Sequence, residues 1–104
     1  MPVKGELLER AREWISLEVQ KAEKLSEISE IEVSPVDRES KSVSWILNGS
    51  DFMAQVVLWE TGEFESDFAN VATGQVQTTS GRVASFGELE SLLESARDWL
   101  LQDS

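Results

Sequence analysis

The chain has 104 residues, a length that fits a single domain over residues 1–104 with one hydrophobic core. It contains four tryptophans but no cysteine and no histidine, which excludes disulfides, thiol nucleophiles, imidazole bases and the usual zinc ligands. The formal net charge of −11 repels phosphate backbones and anionic lipid, so neither nucleic acid nor a membrane is an expected partner.

The first predicted element is a helix over residues 5–29, because apolar residues recur there at intervals of three and four. Its apolar stripe and the flanks that widen it comprise Leu7, Leu8, Ala11, Trp14, Ile15, Leu17, Val19, Ala22 and Leu25. After the helix, Ile31 and Val33 alternate with polar residues and predict a short strand. Pro35 cannot donate a ladder hydrogen bond, so we expect this segment to lie at a sheet edge or to leave the sheet.

Two strong strands follow in the segment SVSWILNGSDFMAQVVLW. The turn between them is predicted at Asn48-Gly49-Ser50-Asp51, since asparagine and glycine both accept a positive φ. The expected pairs are Leu47 with Phe52, Trp45 with Ala54, and Val43 with Val56. All of these residues are apolar, as is Leu58, so they predict the face that meets the core. The other face holds Ser42, Ser44, Ile46, Met53, Gln55, Val57 and Trp59.

The next strand mixes acidic and aromatic residues, namely Glu63, Phe64, Glu65, Asp67 and Phe68. An even loop before it would bury two of the carboxylates, at a cost of several kcal/mol each unless they are paired. A three-residue loop with Gly62 in the left-handed region shifts the register by one residue. The pairs are then Leu58 with Phe64 and Ala54 with Phe68. We therefore expect all three carboxylates on the face that points away from the core.

The last strand and the carboxyl-terminal helix complete the pattern. A second Thr-Gly pair predicts a positive φ at Gly74, and the same loop chemistry would place Val76 and Thr78 on the core side. The segment from Ser85 to Glu88 has the spacing of a capping box and predicts a helix start. The apolar stripe of this helix comprises Leu89, Leu92, Leu93, Ala96, Trp99 and Leu100.

Together these elements predict a two-layer α+β domain with the order α-β-β-β-β-β-α. The sheet is an antiparallel meander of four or five strands, and the amino-terminal and carboxyl-terminal helices cover one of its faces. Three of the tryptophans, Trp14, Trp45 and Trp99, are expected in the core.

The uncovered sheet face is the candidate partner-binding site. Its predicted members are Ile46, Met53, Val57 and Trp59, with Glu63, Glu65 and Asp67 as a charged rim. Aromatic and methionine anchors inside a charged rim are typical of a protein interface. The alternative is that the amino-terminal strand or the long helix covers this face.

The sequence predicts no enzyme activity, no cofactor and no metal site. The carboxylates lack the loop spacing of a calcium hand, and the serines have no basic partner that would activate them. The six glycines are isolated, so no phosphate-binding loop is expected.

Four segments between Val43 and about residue 103 form a distinctive set, namely VSWILNG, VVLWETGEFE, VATGQV and FGELESLLESARDWL. Over this range the chain resembles the TriTu family of bacterial immunity proteins. The resemblance implies a small acidic α+β protein that neutralises an ADP-ribosyltransferase toxin directed at elongation factor Tu. It transfers no individual inhibitory residue.

The leading hypothesis is a cytoplasmic immunity or inhibitor protein that binds a cognate toxin domain stoichiometrically. We expect the acidic rim to steer the encounter and Trp59 to anchor the complex. Cytoplasmic placement follows from the lack of a recognisable secretion signal and of an apolar run of roughly 20 residues. One alternative is a small acidic secretion chaperone, which would be a tight homodimer that binds an extended segment. Another is a domain whose acidic face serves only solubility.

Overall fold

The structure, a computed structural model, describes residues 6–33 and 41–101. The elements are α1 (Glu6–Lys21), α2 (Glu23–Ile28), β1 (Ser29–Val33), β2 (Ser42–Asn48), β3 (Phe52–Trp59), β4 (Glu63–Asn70), β5 (Gln75–Arg82) and α3 (Phe86–Leu101). In these two ranges the strands form one five-stranded sheet in the order β1-β2-β3-β4-β5, and all neighbours are antiparallel. The predicted α+β class and meander sheet are confirmed. No helix within the described residues is long and apolar enough to cross a membrane.

The helices cover one face of the sheet, which we call the inner face; the opposite face is the outer face. On the central strands the buried inner-face residues are Val43, Trp45, Leu47, Ala54, Val56 and Leu58. The helices bury Leu7, Leu8, Ala11, Ile15, Leu25, Leu89, Leu93, Ala96 and Leu100 against them. α3 packs on β3, while α1 and α2 pack on β2. The predicted core faces of the first hairpin and of both helices are therefore confirmed in their main residues.

The three tryptophans expected in the core all contact it, to different depths. Trp45 is fully buried, and the ring of the half-buried Trp14 meets it edge-on with 6.1 Å between centroids. Trp99, also half-buried, stacks on Phe68 with 5.6 Å between centroids. Its indole N–H donates to the Ala69 carbonyl at 3.1 Å. Trp99 thus attaches α3 to β4 through a ring contact and a hydrogen bond.

The amino-terminal helix differs from the prediction. α1 ends at Lys21, Ala22 adopts an extended conformation, and a separate short helix then ends at Ile28. The chain enters β1 at Ser29, two residues before the predicted strand, because ladder hydrogen bonds with β2 replace helical ones there. The edge position of this strand is confirmed, whereas Pro35 lies outside the described residues.

Leu17 was wrongly included in the apolar stripe of the first helix. Its side chain is 51% exposed. It lies nine residues after Leu8, and at about 100° per residue the two point to opposite sides of the helix. Leu17 is therefore a solvent-facing residue of α1.

The register of the first hairpin is shifted by two residues from the prediction. Its observed pairs are Leu47 with Ala54, Trp45 with Val56, and Val43 with Leu58. The reason is the shorter turn: Asn48 pairs with Met53, and the Gly49 N–H donates to the Phe52 carbonyl at 3.0 Å. An even shift keeps every side chain on its predicted face.

The second hairpin has the predicted three-residue loop. Gly62 has a φ of 96°, and its N–H donates to the Trp59 carbonyl at 2.9 Å. The pairs Leu58 with Phe64 and Ala54 with Phe68 are confirmed. A Cβ on Gly62 would lie 2.9 Å from the Val83 carbonyl oxygen, so both the φ and the space favour glycine here.

The third hairpin has a four-residue loop, which overturns the prediction for β5. Gly74 has the expected positive φ, 77°. The side-chain oxygen of Asn70, however, accepts the N–H groups of Ala72 and Thr73, at 3.1 and 3.3 Å, and this adds a residue to the loop. Val76 and Thr78 therefore pair with Ala69 and Asp67 on the outer face, not on the core side.

The start of α3 is capped nearly as predicted. The Ser85 hydroxyl accepts the Glu88 N–H at 3.2 Å. The Glu88 carboxylate reaches back to the N–H of Ala84, at 2.7 Å, one residue further than in a standard capping box. This cap fixes α3 directly after β5.

Candidate functional site: the outer sheet face

The outer face contains all seven predicted partner-binding residues. Ile46 lies on β2, three more lie on β3, and the three carboxylates lie on β4. Two rows cross the middle of this face from edge to edge. The rows are Glu30-Ile46-Gln55-Asp67-Thr78 and Glu32-Ser44-Val57-Glu65-Ser80. Each row therefore has a carboxylate on either side of its apolar residue.

The apolar residues of the outer face form a strip on the two central strands. Met53 is the most open of them, at 40% exposed. Ile46, Val57 and Trp59 are half-buried. Trp59 directly precedes the loop of the second hairpin and pairs with Ser42, a small residue. Because the helices pack on the inner face, these side chains keep a solvent-accessible surface.

The carboxylates on β4 differ in their partners. Glu63 forms a salt bridge with Arg82 at 2.9 Å. Asp67 accepts a hydrogen bond from the Thr78 hydroxyl at 2.6 Å. Glu65 lies between them, is exposed, and has neither an ion pair nor a side-chain hydrogen bond within the described residues. Of the three, Glu65 is the carboxylate whose charge is most available to a partner.

The structure adds two acidic residues that the sequence reasoning missed. Glu30 and Glu32 are exposed and lie on the outer face of β1, opposite Ile46 and Ser44. The prediction ended the helix at residue 29 and began the strand at Ile31, so Glu30 belonged to neither element, and the face of Glu32 within the strand was not assigned. The period-two pattern from Ser29 onward was the signal that could have found them.

The outer face carries a strong negative charge. Among the described residues it holds five carboxylates, Glu30, Glu32, Glu63, Glu65 and Asp67, and one guanidinium, Arg82. Together with the net charge of −11, this distribution attracts a basic partner and repels an acidic one.

The charged residues between the helices have a structural role. Arg97 of α3 bonds the Glu18 carboxylate of α1, and its guanidinium lies 5.6 Å from the centre of the Trp14 ring. The hydrogen bond from Arg97 lowers the pKa of Glu18 below its ordinary value, against an opposing effect of burial. The same bond raises the pKa of Arg97. This pair joins the two long helices.

The inner side also has an open groove of about 510 Å³ between α3 and the strand ends. Phe64, Val83 and Leu92 give it an apolar wall. Its polar groups at Ser85 and Glu88 are already used to cap α3. No group of acidic residues in the described ranges is arranged to hold a metal ion.

Comparison with protein-family models gives a match to residues 9–99, and the matching family is described as "Immunity protein TriTu". The match includes most of both long helices and the entire sheet, and it extends the resemblance seen in the sequence into α1. Comparison with curated proteins and with solved structures gives no match.

Proposed function

The chain belongs to the TriTu immunity protein family, and from this membership we propose that it neutralises a cognate toxin in the cytoplasm by stoichiometric, non-catalytic binding. The proposed toxin class is an ADP-ribosyltransferase that modifies elongation factor Tu. The single observation that supports the mode of action is the outer face. It combines a partly exposed apolar strip with carboxylates on both sides.

The proposed mechanism is occlusion of the toxin by the outer face. A half-buried tryptophan such as Trp59 needs little reorganisation to complete its burial on binding, because its side chain is already held by the sheet. Anchors of this type commonly contribute about 2 kcal/mol or more to a protein complex. Met53 and Val57 extend the apolar contact along β3.

The carboxylates have a different part in the proposal. Charges at the rim of an interface act mainly on the rate of encounter and on the choice of partner. Glu65 and the two acids of β1 remain exposed, so a basic toxin surface would be attracted from both sides of the apolar strip. The proposed toxin surface is therefore basic at its rim and apolar at its centre.

The first experiment is an activity titration. An ADP-ribosyltransferase of the proposed toxin class is mixed with elongation factor Tu and labelled NAD, and increasing amounts of this protein are added. We expect label transfer to fall linearly to zero at one molecule per toxin. Inhibition at far lower ratios would indicate catalysis and contradict the proposal, as would full activity at excess.

The second experiment locates the surface with a matched pair of variants. Trp59→Ala should weaken toxin binding by about 30-fold, the equivalent of about 2 kcal/mol, mainly through faster dissociation. Leu17→Ala removes an exposed apolar side chain from α1 and should leave binding unchanged. Circular dichroism and thermal melting confirm that both variants fold. Equal binding by all three proteins would contradict the outer face as the site.

Binding experiments with the same proteins also distinguish an immunity protein from a secretion chaperone. An immunity protein binds the folded toxin and does not require dimerisation. Binding only to a urea-unfolded toxin, by a stable homodimer in sedimentation, would overturn the proposal.

A further inference from the structure

The two edges of the sheet differ in how they are protected. β1 places Glu30 and Glu32 along its edge, and charged side chains are a common way to discourage pairing with another strand. β5 forms the opposite edge. Every residue of β5 is exposed, so neither face of this strand is covered by the helices.

Apart from Arg82 at its last position, which is bonded to Glu63, β5 has none of the usual features that block an open edge. Residues 75–81, QVQTTSG, contain no charged residue and no proline. The pairing with β4 continues through eight successive residues without a bulge, so the strand is regular to its end. Val76, Thr78 and Thr79 favour the extended conformation. A long, regular edge that carries no charge over seven of its eight residues is a template for a further strand.

We propose that the open edge of β5 binds an extended segment of the cognate toxin as a sixth strand of the sheet. This inference rests on the proposed function, because it names how the same partner docks. Backbone hydrogen bonds supply the affinity of such strand addition, and the alternating side chains supply the specificity.

The charges indicate a basic segment. Glu65 pairs with Ser80 across the β4–β5 ladder, and it has no partner among the described side chains. Strands are spaced by about 4.8 Å, so an added strand lies about 10 Å from β4. A lysine or arginine beside Ser80 can extend over this small residue to the Glu65 carboxylate. The added strand thus gives Glu65 an ion pair, which it does not form with any of the described residues.

A second copy of this chain fits the edge less well. Each copy carries a net charge of −11, so pairing two of them brings like charges together. The basic residue of β5, Arg82, is already bonded to Glu63 within the same chain. A basic segment of the toxin meets neither of these obstacles.

The direct test is residue-resolved amide hydrogen exchange on the free protein and on its one-to-one complex with the proposed cognate toxin. In an antiparallel strand alternate amides point away from the neighbour, so half of those in β5 are open in the free protein. We expect these amides to exchange about 100-fold more slowly in the complex, while those of β1 stay unchanged. Unchanged exchange in β5 would overturn the inference. Slow exchange of all β5 amides in a free protein that sediments as a dimer would also overturn it.

A pair of proline variants gives an independent result. Of Thr78→Pro and Thr79→Pro, one removes an N–H that bonds β4 and the other removes an N–H that points to the open edge. The variant that melts like the wild type should bind the toxin at least about tenfold more weakly. Wild-type affinity for that variant would contradict strand addition. If both variants unfold, the amide exchange decides.

Binding of the toxin and protection of the β5 amides test the proposed function and strand addition separately. A wild-type protein that does not bind the toxin refutes the proposed function. A wild-type protein that binds with β5 amides unprotected refutes strand addition alone.

Discussion

The two faces of β3 show how one strand serves two purposes. Ala54, Val56 and Leu58 point to the inner face and are buried beneath α3, whereas Val57 and Trp59 point to the outer face and stay partly exposed. Both sets are apolar, so hydrophobicity does not distinguish them. What distinguishes them is the presence of helices on one side. The inner set stabilises the fold, and the outer set is available to a partner.

The largest expected effect is a difference in stability between substitutions on the inner side and on the outer face. Leu93→Ala empties a buried position of α3 and should lower the free energy of unfolding by about 2–5 kcal/mol. Val57→Ala on the outer face should lower it by about 1 kcal/mol or less, because that side chain already contacts solvent. Urea titrations measure both values. Equal losses would mean that the outer face is as much a part of the core as the inner face.

The second effect contrasts the two glycine turns. Gly62→Ala should destabilise by about 2 kcal/mol or more, since the new Cβ is strained by a positive φ and lies 2.9 Å from the Val83 oxygen. Gly74→Ala should cost only about 1 kcal/mol, because nothing lies within 4 Å of its Cβ. Thermal melts of the two variants provide the comparison. A greater loss at Gly74 would be inconsistent with this account.

These two turns also show what the sequence can predict. The cost of burying Glu65 and Asp67 predicted a three-residue loop in the second hairpin, and the structure has this loop. No such cost constrained the loop of the third hairpin, because the segment after Gly74, which forms β5, has no carboxylate and its one apolar residue is Val76. The Asn70 side chain decided its length through hydrogen bonds that no hydrophobic pattern reports.

The candidate site was predictable for a related reason. A register error of two residues leaves every side chain on its predicted face of the sheet. Ile46, Met53 and Val57 therefore lie on the predicted outer face, although the first hairpin is shifted by two residues. Glu32 was missed because the face of its predicted strand was not assigned, and Glu30 was missed because helical and strand patterns overlap where α2 meets β1. There the tertiary pairing with β2, rather than local preference, ends the helix.

The third effect concerns the helix side and depends on pH. Glu18→Gln removes the ion pair with Arg97 and should cost about 1 kcal/mol at neutral pH, without affecting toxin binding. The folded state lowers the pKa of Glu18, so its stabilising effect is complete above the ordinary pKa of 4.5 and is lost as the pH falls through the folded value. The stability difference between wild type and variant should therefore shrink below pH 4.5. A difference that is constant between pH 7 and pH 3, roughly, would contradict it.

The smallest effect is kinetic. Combining Glu63→Lys with Glu65→Lys should slow toxin association by several-fold, roughly, and reduce its dependence on salt. The matched control combines Glu13→Lys with Glu94→Lys, which makes the same charge change at exposed helix positions. Stopped-flow mixing at low and high salt compares the two. Equal slowing in both would assign steering to net charge rather than to the outer face.

The most direct measurement of the central claim is site-specific photo-crosslinking in the complex with the toxin. Benzoylphenylalanine replaces Val57 at the centre of the outer face in one sample and Leu17 on α1 in the other. Size-exclusion chromatography first confirms that each protein still forms the complex. We expect illumination to join the toxin to position 57 and not to position 17. A crosslink from position 17 alone would place the toxin on the helices and contradict the outer face as the binding surface.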